Sequence, residues 1–192
     1  MILPINHQTH LALLNPHHTE ELFQLIENNR IYLREWLMFI DATKSVEDVR
    51  AHCTESMELN RSGAEYAFVI IHNKRIIGRI GLYKLDLKNK ISDIAYWIDQ
   101  QHQGKGLMYE ACKTLIHFAF NELKLNRIEI RCSVDNQRSI ALPKRLNFTY
   151  EGTMRQSKRM SNEFKDVKLF SLLRTDYERI TEENRHVQNG TQ

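Results

Sequence analysis

The chain of 192 residues is 42% hydrophobic and 27% charged, the balance of one soluble globular domain with a substantial core. A formal net charge of +3 is too small to argue for nucleic-acid binding by itself, and no stretch is apolar enough to span a membrane. Three scattered cysteines (Cys53, Cys112, Cys132) speak against a disulfide framework, so buried thiols in a reducing, cytoplasmic setting are expected.

The first residues, Met1-Ile2-Leu3-Pro4-Ile5, lack the basic start and long apolar core of a secretory leader, and none is expected. Residues 7–14 read as a first strand. Asn15-Pro16 then caps a helix, with Pro at its first position and Leu22, Phe23, Leu25 and Ile26 inward. A short helical patch follows with Tyr32, Leu33, Trp36, Leu37 and Phe39. Ser45-Val46-Glu47-Asp48 resembles a capping box with Asp in the third position, and the helix it opens carries Val46, Val49, Cys53 and Met57 on one side. Residues 66–71 and 75–83 are strands joined at His72-Asn73-Lys74. A polar turn over 85–90 leads into a strand over 91–98.

The next segment is the most informative. Leu107, Ala111, Leu115 and Phe118 recur at the spacing of one helix face, so Gly104 and Gly106 fall at a strand-to-helix junction. Nothing on Cα blocks a close ligand there, and the first N–H groups of the helix have no internal partner, which suits an anion such as phosphate. The loop is not a Walker A motif, because Leu107-Met108 follows Gly106. It is not a dinucleotide fingerprint either, because Tyr109 takes the third glycine's place. Read alone, Gly-Lys-Gly is equally what a plain surface turn requires.

Residues 127–134 alternate Ile128, Ile130, Cys132 and Val134 on one face, a further strand. Asp135-Asn136 starts a short helix to about residue 146. Strands over 148–155 and 166–173 follow, with Ser161-Asn162-Glu163 as their turn. From Thr181 onward almost nothing can be buried, and a frayed tail is expected. The organisation is one domain over 1–178 and a polar tail over 179–192. Nine histidines include no H-E-x-x-H and no Cys/His cluster, so no metal is expected.

Taken together, Tyr96-Trp97-Ile98, Gln103-Gly104-Lys105-Gly106-Leu107-Met108, Val134-Asp135-Asn136-Gln137-Arg138-Ser139 and Glu151-Gly152 carry a resemblance. In this order and spacing they are similar to the GNAT superfamily of acetyl-CoA-dependent N-acetyltransferases. More narrowly they resemble the RimL/RimJ type, which acetylates the N-terminal α-amine of ribosomal proteins. The resemblance covers roughly residues 8–178 and is strongest over 91–173. It implies an α/β (α+β) fold: a central mixed, mostly antiparallel twisted sheet flanked by helices on both faces.

The resemblance also implies a site. Acetyl-CoA is the cosubstrate. The backbone of Tyr96, Trp97 and Ile98 would stabilise the negative oxygen of the tetrahedral intermediate and pair with the pantetheine arm. The amides of Gly104, Lys105, Gly106, Leu107 and Met108 would hold the pyrophosphate, with Gln103 at the family's Arg/Gln position of the cofactor site, and Asn136 would touch the cofactor. Ser139 would protonate the leaving thiolate, against the plainer role of satisfying its own helix start. Arg34, Glu35 and Trp36 would face the acceptor.

Two departures stand out. The tyrosine many members place before a Gly-Phe pair is Pro143 here, and Asn147 replaces that glycine. The carboxylate the RimL type uses as a base lines up with Lys158, which cannot act so while charged; Glu163 and Asp93 are the alternatives. From 144 to 168 seven basic residues face three acidic ones, either a solvated face or a contact for the CoA 3′-phosphate or RNA. The expected activity is acetyl transfer to a primary amine, foremost a protein N-terminus, including a ribosomal one. A polyamine or aminoglycoside acetyltransferase, or a non-catalytic acyl-CoA sensor, are the alternatives. A homodimer is compatible with all three.

Overall fold

A computed structural model describes residues 1–160 and 163–189. Eight strands form one sheet among the described residues: β1 (Ile2–Pro4), β2 (Thr9–Leu13), β3 (Tyr66–His72), β4 (Arg75–Asp86), β5 (Ile91–Ile98), β6 (Arg127–Ser133), β7 (Thr149–Met160) and β8 (Glu163–Leu173). Their order is β1-β2-β3-β4-β5-β6-β8-β7, antiparallel throughout except for the β5–β6 pair. The helices are α1 (Thr19–Arg34), α2 (Phe39–Ala42), α3 (Val46–Ser62), α4 (Leu107–Asn121), α5 (Gln137–Arg145) and α6 (Arg174–Asn189). A mixed, mostly antiparallel sheet with helices on both faces is therefore observed.

Each sheet face has its own core. On one, Ala111, Leu115, Phe118 and Phe120 of α4 cover Ile80, Ile94, Ile128, Ile130 and Phe170. On the other, Leu22 and Ile26 of α1 and Val49 and Cys53 of α3 cover Val69 and Trp97. Alternation along the strands sends successive side chains to these two layers, which is why β3 and β4 are apolar on both faces. All three cysteines are free and buried.

Local signals behave as their chemistry demands. Asn15 Oδ1 accepts from the His17 N–H (2.9 Å), capping a single 3₁₀ turn that runs into α1. Ser45 and Asp48 close a reciprocal capping box on α3. Caps of this kind are worth about 1 kcal/mol each.

Four expectations need correction, the first being the separate helical patch: Tyr32 and Leu33 belong to α1, Phe39 opens α2, and Trp36 and Leu37 lie between them. The short β1 was not anticipated; it is an edge strand with little burial of its own. The strands bounding the last hairpin are longer than expected, and of its turn Ser161 and Asn162 lie outside the described residues while Glu163 opens β8. The tail expected to fray from Thr181 continues as α6 to Asn189. Its first turns anchor it: Tyr177 stacks on Phe120 (4.9 Å between rings), and its hydroxyl meets His117 Nδ1 at 3.0 Å. Arg174 also donates to the Phe120 and Leu125 carbonyls (2.6 and 2.8 Å), and Ile180 packs on the core.

Candidate active site

The site is made by a parting of strands. β5 and β6 pair from Ile91 with Arg127 to Ile94 with Ile130, and no further. Beyond that point β5 stays on β4 as far as Ile98, and β6 stays on β8 as far as Ser133, so a gap opens between them. The Asp99 N–H turns to the Ile77 carbonyl of β4 (2.8 Å). In an antiparallel ladder alternate residues bond to the same neighbour, so Trp97 also faces β4 while the amides of Tyr96 and Ile98 point into the gap. Of the three residues expected to supply backbone donors, two turn their amides into the gap. The Trp97 amide belongs to the sheet.

At the mouth of the gap the chain makes a 3₁₀ turn (Gln100–His102) and enters α4 through the glycine loop. Gly104 and Gly106 have φ of +71° and +77°, and a Cβ at either would meet nothing within 4 Å. The glycines serve backbone conformation and leave the space above the loop open. The first amides of α4 at Leu107 and Met108 have no intrahelical acceptor and carry the positive end of the helix dipole.

Behind the gap, the first turn of α5 presents Ser139. Asn136 is the N-cap: its Oδ1 accepts from the Ser139 N–H (3.0 Å). The Ser139 hydroxyl is therefore not needed as a cap. It lies 3.2 Å from Cys132 Sγ, to which it donates, and 3.3 Å from the Tyr96 hydroxyl. The Tyr96 hydroxyl also lies 3.2 Å from the Ser139 carbonyl, and Cys132 donates to the same carbonyl at 3.3 Å. Burial pushes the Tyr96 phenol well above its ordinary range and raises the Cys132 thiol. Both are neutral donors beside Ser139.

These parts line one cleft of about 670 Å³, together with Tyr32, Trp36, His102, Gln103, Arg138 and Arg145. That is the size of a cofactor or small-ligand site. Tyr96, Trp97, Ile98, Gln103, Gly104, Gly106, Leu107, Met108, Asn136, Ser139 and Trp36 all line it; Lys105 is exposed on the loop and does not. A second cavity of about 670 Å³ opens beside it, walled by Glu35 and Asp135 and sharing Tyr32, Trp36, Gln100, Asn136 and Arg138 with the first. Arg34 lines neither cavity and pairs with Asp41 at 2.9 Å.

Several site residues were not singled out from the sequence. Arg138 donates to Gln103 Oε1 (2.5 Å), tying α5 to the glycine loop. His102 is held by Asp99 through Nδ1 (2.6 Å), and Arg145 lies over the Tyr109 ring at 4.5 Å. Of these, Arg145 alone had a signal, as part of the basic run over 144–168. Asn147, in the place of the family's glycine, takes φ +60°, a left-handed conformation that asparagine tolerates.

The carboxylates considered as bases are otherwise engaged. Asp93 is bonded by Arg131 and lies 3.2 Å from Lys84, and Glu163 is exposed and paired with Lys165 at 3.0 Å. Lys158, at the expected carboxylate position, reaches back to the Trp36 carbonyl (3.1 Å), and burial lowers its pKa. No group of three or more metal-ligating side chains occurs among the described residues. No described helix is long and apolar enough to cross a membrane.

Such a site offers amide donors beside a strand edge, a pocket for phosphates and a hydroxyl with neutral neighbours. Those are the needs of acyl transfer from a phosphate-bearing thioester. Comparison with known proteins agrees. The family model of the GNAT acetyltransferase domain matches residues 9–149. The ribosomal-protein-serine acetyltransferase of Escherichia coli (strain K12) is 30% identical over 169 residues, 88% of this chain and 94% of that protein. The solved structure of RimL, a ribosomal L7/L12 α-N-protein acetyltransferase in complex with coenzyme A, superposes with a TM-score of 0.87. It is 27% identical and covers 90% of this chain and 98% of its own. A microcin C7 self-immunity acetyltransferase, MccE, solved with acetyl-CoA and AMP, gives a TM-score of 0.82 at 26% identity, covering 88% of this chain and 94% of its own.

Proposed function

The chain belongs to the GNAT family of acetyltransferases, and we propose that it moves acetyl from acetyl-CoA to the N-terminal α-amine of a protein. The observation that carries this reading is the Ser139 hydroxyl, freed from capping by Asn136 and set between Tyr96 and Cys132 at the strand gap. Relatives that act on ribosomal proteins support a protein acceptor; a ribosomal substrate is the finer part of the proposal.

Bound acetyl-CoA would supply the thioester carbonyl and the leaving thiol. The amides of Tyr96 and Ile98 would donate to the oxygen that becomes negative as the amine adds, a contribution worth about 3 kcal/mol per donor in comparable sites. Ser139 would hand its proton to the departing sulfur and take back the one the amine nitrogen sheds, while Tyr96, kept neutral by its burial, stays hydrogen-bonded to the serine. The open space over Gly104 and Gly106 and the first amides of α4 would receive the pyrophosphate. Arg145 and Arg138 at the cleft wall would answer further phosphate charge.

Thiol release from acetyl-CoA, measured with a panel of N-terminal peptides, polyamines and aminoglycosides, tests the proposal. Turnover confined to peptides with a free α-amine is the expected result. Turnover of polyamines alone would overturn the acceptor, and no thiol release with any acceptor would leave a CoA-binding protein without this activity.

A further inference from the structure

Lys158 occupies a position that a basic residue reaches only by deliberate construction. β7 runs from Met154 to Lys158 while β8 moves only from Val167 to Lys165, so β7 bulges between those pairs. The bulge is pinned at Gln156, whose φ is +48° and whose N–H donates to Asp166 Oδ1 at 2.8 Å. Bulges of this kind re-aim a side chain. Here the lysine is aimed across the molecule to the Trp36 carbonyl, 122 residues away in sequence and part of the wall shared by both cavities.

An ammonium has three donors. One of them meets the Trp36 carbonyl, and among the described residues no carboxylate lies within salt-bridge distance of Lys158. Several other cations of the chain have counter-ions. Lys165 pairs with Glu163 and Asp135, Arg131 with Asp93 and Glu129, and Arg34 with Asp41. A half-buried cation without a counter-ion acts at higher effective strength than one in free solvent.

We propose that Lys158 is a specificity-determining residue: its ammonium holds an oxygen of the acceptor, carbonyl or carboxylate, and repels any acceptor that brings a second positive charge. This rests on the acetyltransferase reading above and deepens its acceptor class. A peptide N-terminus loses its one positive charge on becoming a nucleophile and presents carbonyl oxygens next to the amine. A diamine or polyamine keeps an ammonium after its reacting nitrogen is deprotonated. Acidic residues close to the N-terminus would be favoured and basic ones disfavoured.

The test uses the protein with CoA bound, titrated calorimetrically with a primary monoamine and with the diamine of the same chain length. Wild type and the variants Lys158→Met, Lys158→Arg and Lys158→Glu are compared, with circular dichroism as the check on folding. Wild type is expected to bind the diamine at least roughly tenfold more weakly than the monoamine, as a like-charge juxtaposition demands. Lys158→Arg should keep that ratio, Lys158→Met should bring it close to one, and Lys158→Glu should invert it. Added salt should shrink the wild-type gap even if a variant fails to fold.

Equal wild-type affinities, a ratio unmoved in the Met and Glu variants, or absence of binding by either amine would overturn the proposal. So would a Lys158→Met protein with its amine ratio intact and turnover of every acceptor abolished, since Lys158 would then be serving the proton transfer itself. A charge-dependent amine ratio in a protein that acetylates no peptide would uphold Lys158 as the selector and sink only the α-amine acceptor.

Discussion

The Tyr96 hydroxyl lies 3.3 Å from Ser139 Oγ, joining β5 to the first turn of α5 across the gap where β5 and β6 part. Tyr96 is a core residue of the sheet by its ring and a site residue by its hydroxyl. Its backbone amide faces the same gap, so one residue brings both a candidate oxyanion donor and a hydrogen bond to the serine. The packing that buries the ring also keeps the phenol neutral.

If Ser139 protonates the thiolate, Ser139→Ala should lower kcat by roughly ten- to ten-thousand-fold, the range for a general acid. CoA affinity should hardly change, because the cap on α5 is Asn136 and survives the substitution. Tyr96→Phe should give a smaller loss in kcat. Steady-state thiol release with calorimetric CoA titration measures both; a Ser139→Ala protein with full kcat would remove the serine from the chemistry.

Gly106→Glu should abolish measurable CoA binding in a folded protein. The open space above the loop would receive a carboxylate where the pyrophosphate is expected, and φ +77° adds strain of about 1–2 kcal/mol for any residue with a Cβ. Gly106→Ala separates the two effects, since it meets no atom within 4 Å and carries the strain alone. Unchanged CoA affinity in the Glu variant would move the phosphate site elsewhere.

Gly78 guards the other side of β5. A Cβ there would lie 2.3 Å from the Trp97 carbonyl and 2.9 Å from Ile98 Cα, both backbone atoms that cannot swing away. Gly78→Ala should therefore cost about 1–3 kcal/mol in urea denaturation, as overpacking does. It should also reduce turnover more than CoA affinity, because the strand it displaces carries the amides of Tyr96 and Ile98.

What could be read from residues alone was local. The glycine loop, the Ser45 capping box and the Asn136 helix start are signals contained within a few positions, and each stands where the sequence placed it. The gap between β5 and β6 was not legible from residue patterns, because strand pairing depends on partners far apart in the chain. For the same reason Tyr96 with Ser139, 43 residues apart, and Lys158 with Trp36 left no trace in any local pattern. The Glu151-Gly152 step was legible only as a motif. Its role emerges from three strands at once, with Glu151 on β7 bonded by Arg127 of β6 (2.7 and 2.5 Å) and by Ser171 of β8 (2.6 Å).

That arrangement has a pH signature. The Arg127 guanidinium, and after it the Ser171 hydroxyl, hold the Glu151 carboxyl down at about 2, against an ordinary value near 4.5. A depressed carboxylate contributes stability that is complete above pH 4.5 and lost as pH falls toward 2. About a third of the side chain is exposed, so solvent screening reduces the contribution to about 1 kcal/mol. Glu151→Gln should lower stability at neutral pH by about that amount and flatten the acid limb of a stability-against-pH curve. An unchanged acid limb would mean that the pair is not held in the folded protein.

The proton on the acceptor amine is the step for which the site offers the least help. Asp93 and Glu163 are committed to ion pairs, and Lys158 stands where a carboxylate base was expected. The acceptor that needs least assistance is then favoured. An α-amine has a pKa of about 7.7 to 8.0 and a lysine side chain about 10.4, so near pH 7 roughly a tenth of the first is free base and only a few parts in ten thousand of the second. Peptides beginning with Ser, Ala or Thr should be acetylated at a rate that rises with pH through about 8. Internal lysines should react weakly. If a carboxylate is the base after all, removing Asp93 or Glu163 should abolish activity at pH 7 and higher pH should restore it. Mass spectrometry of matched peptides, one with a free N-terminus and one α-blocked with a free lysine, decides the matter. Equal turnover of the two would show that the α-amine is not the preferred acceptor.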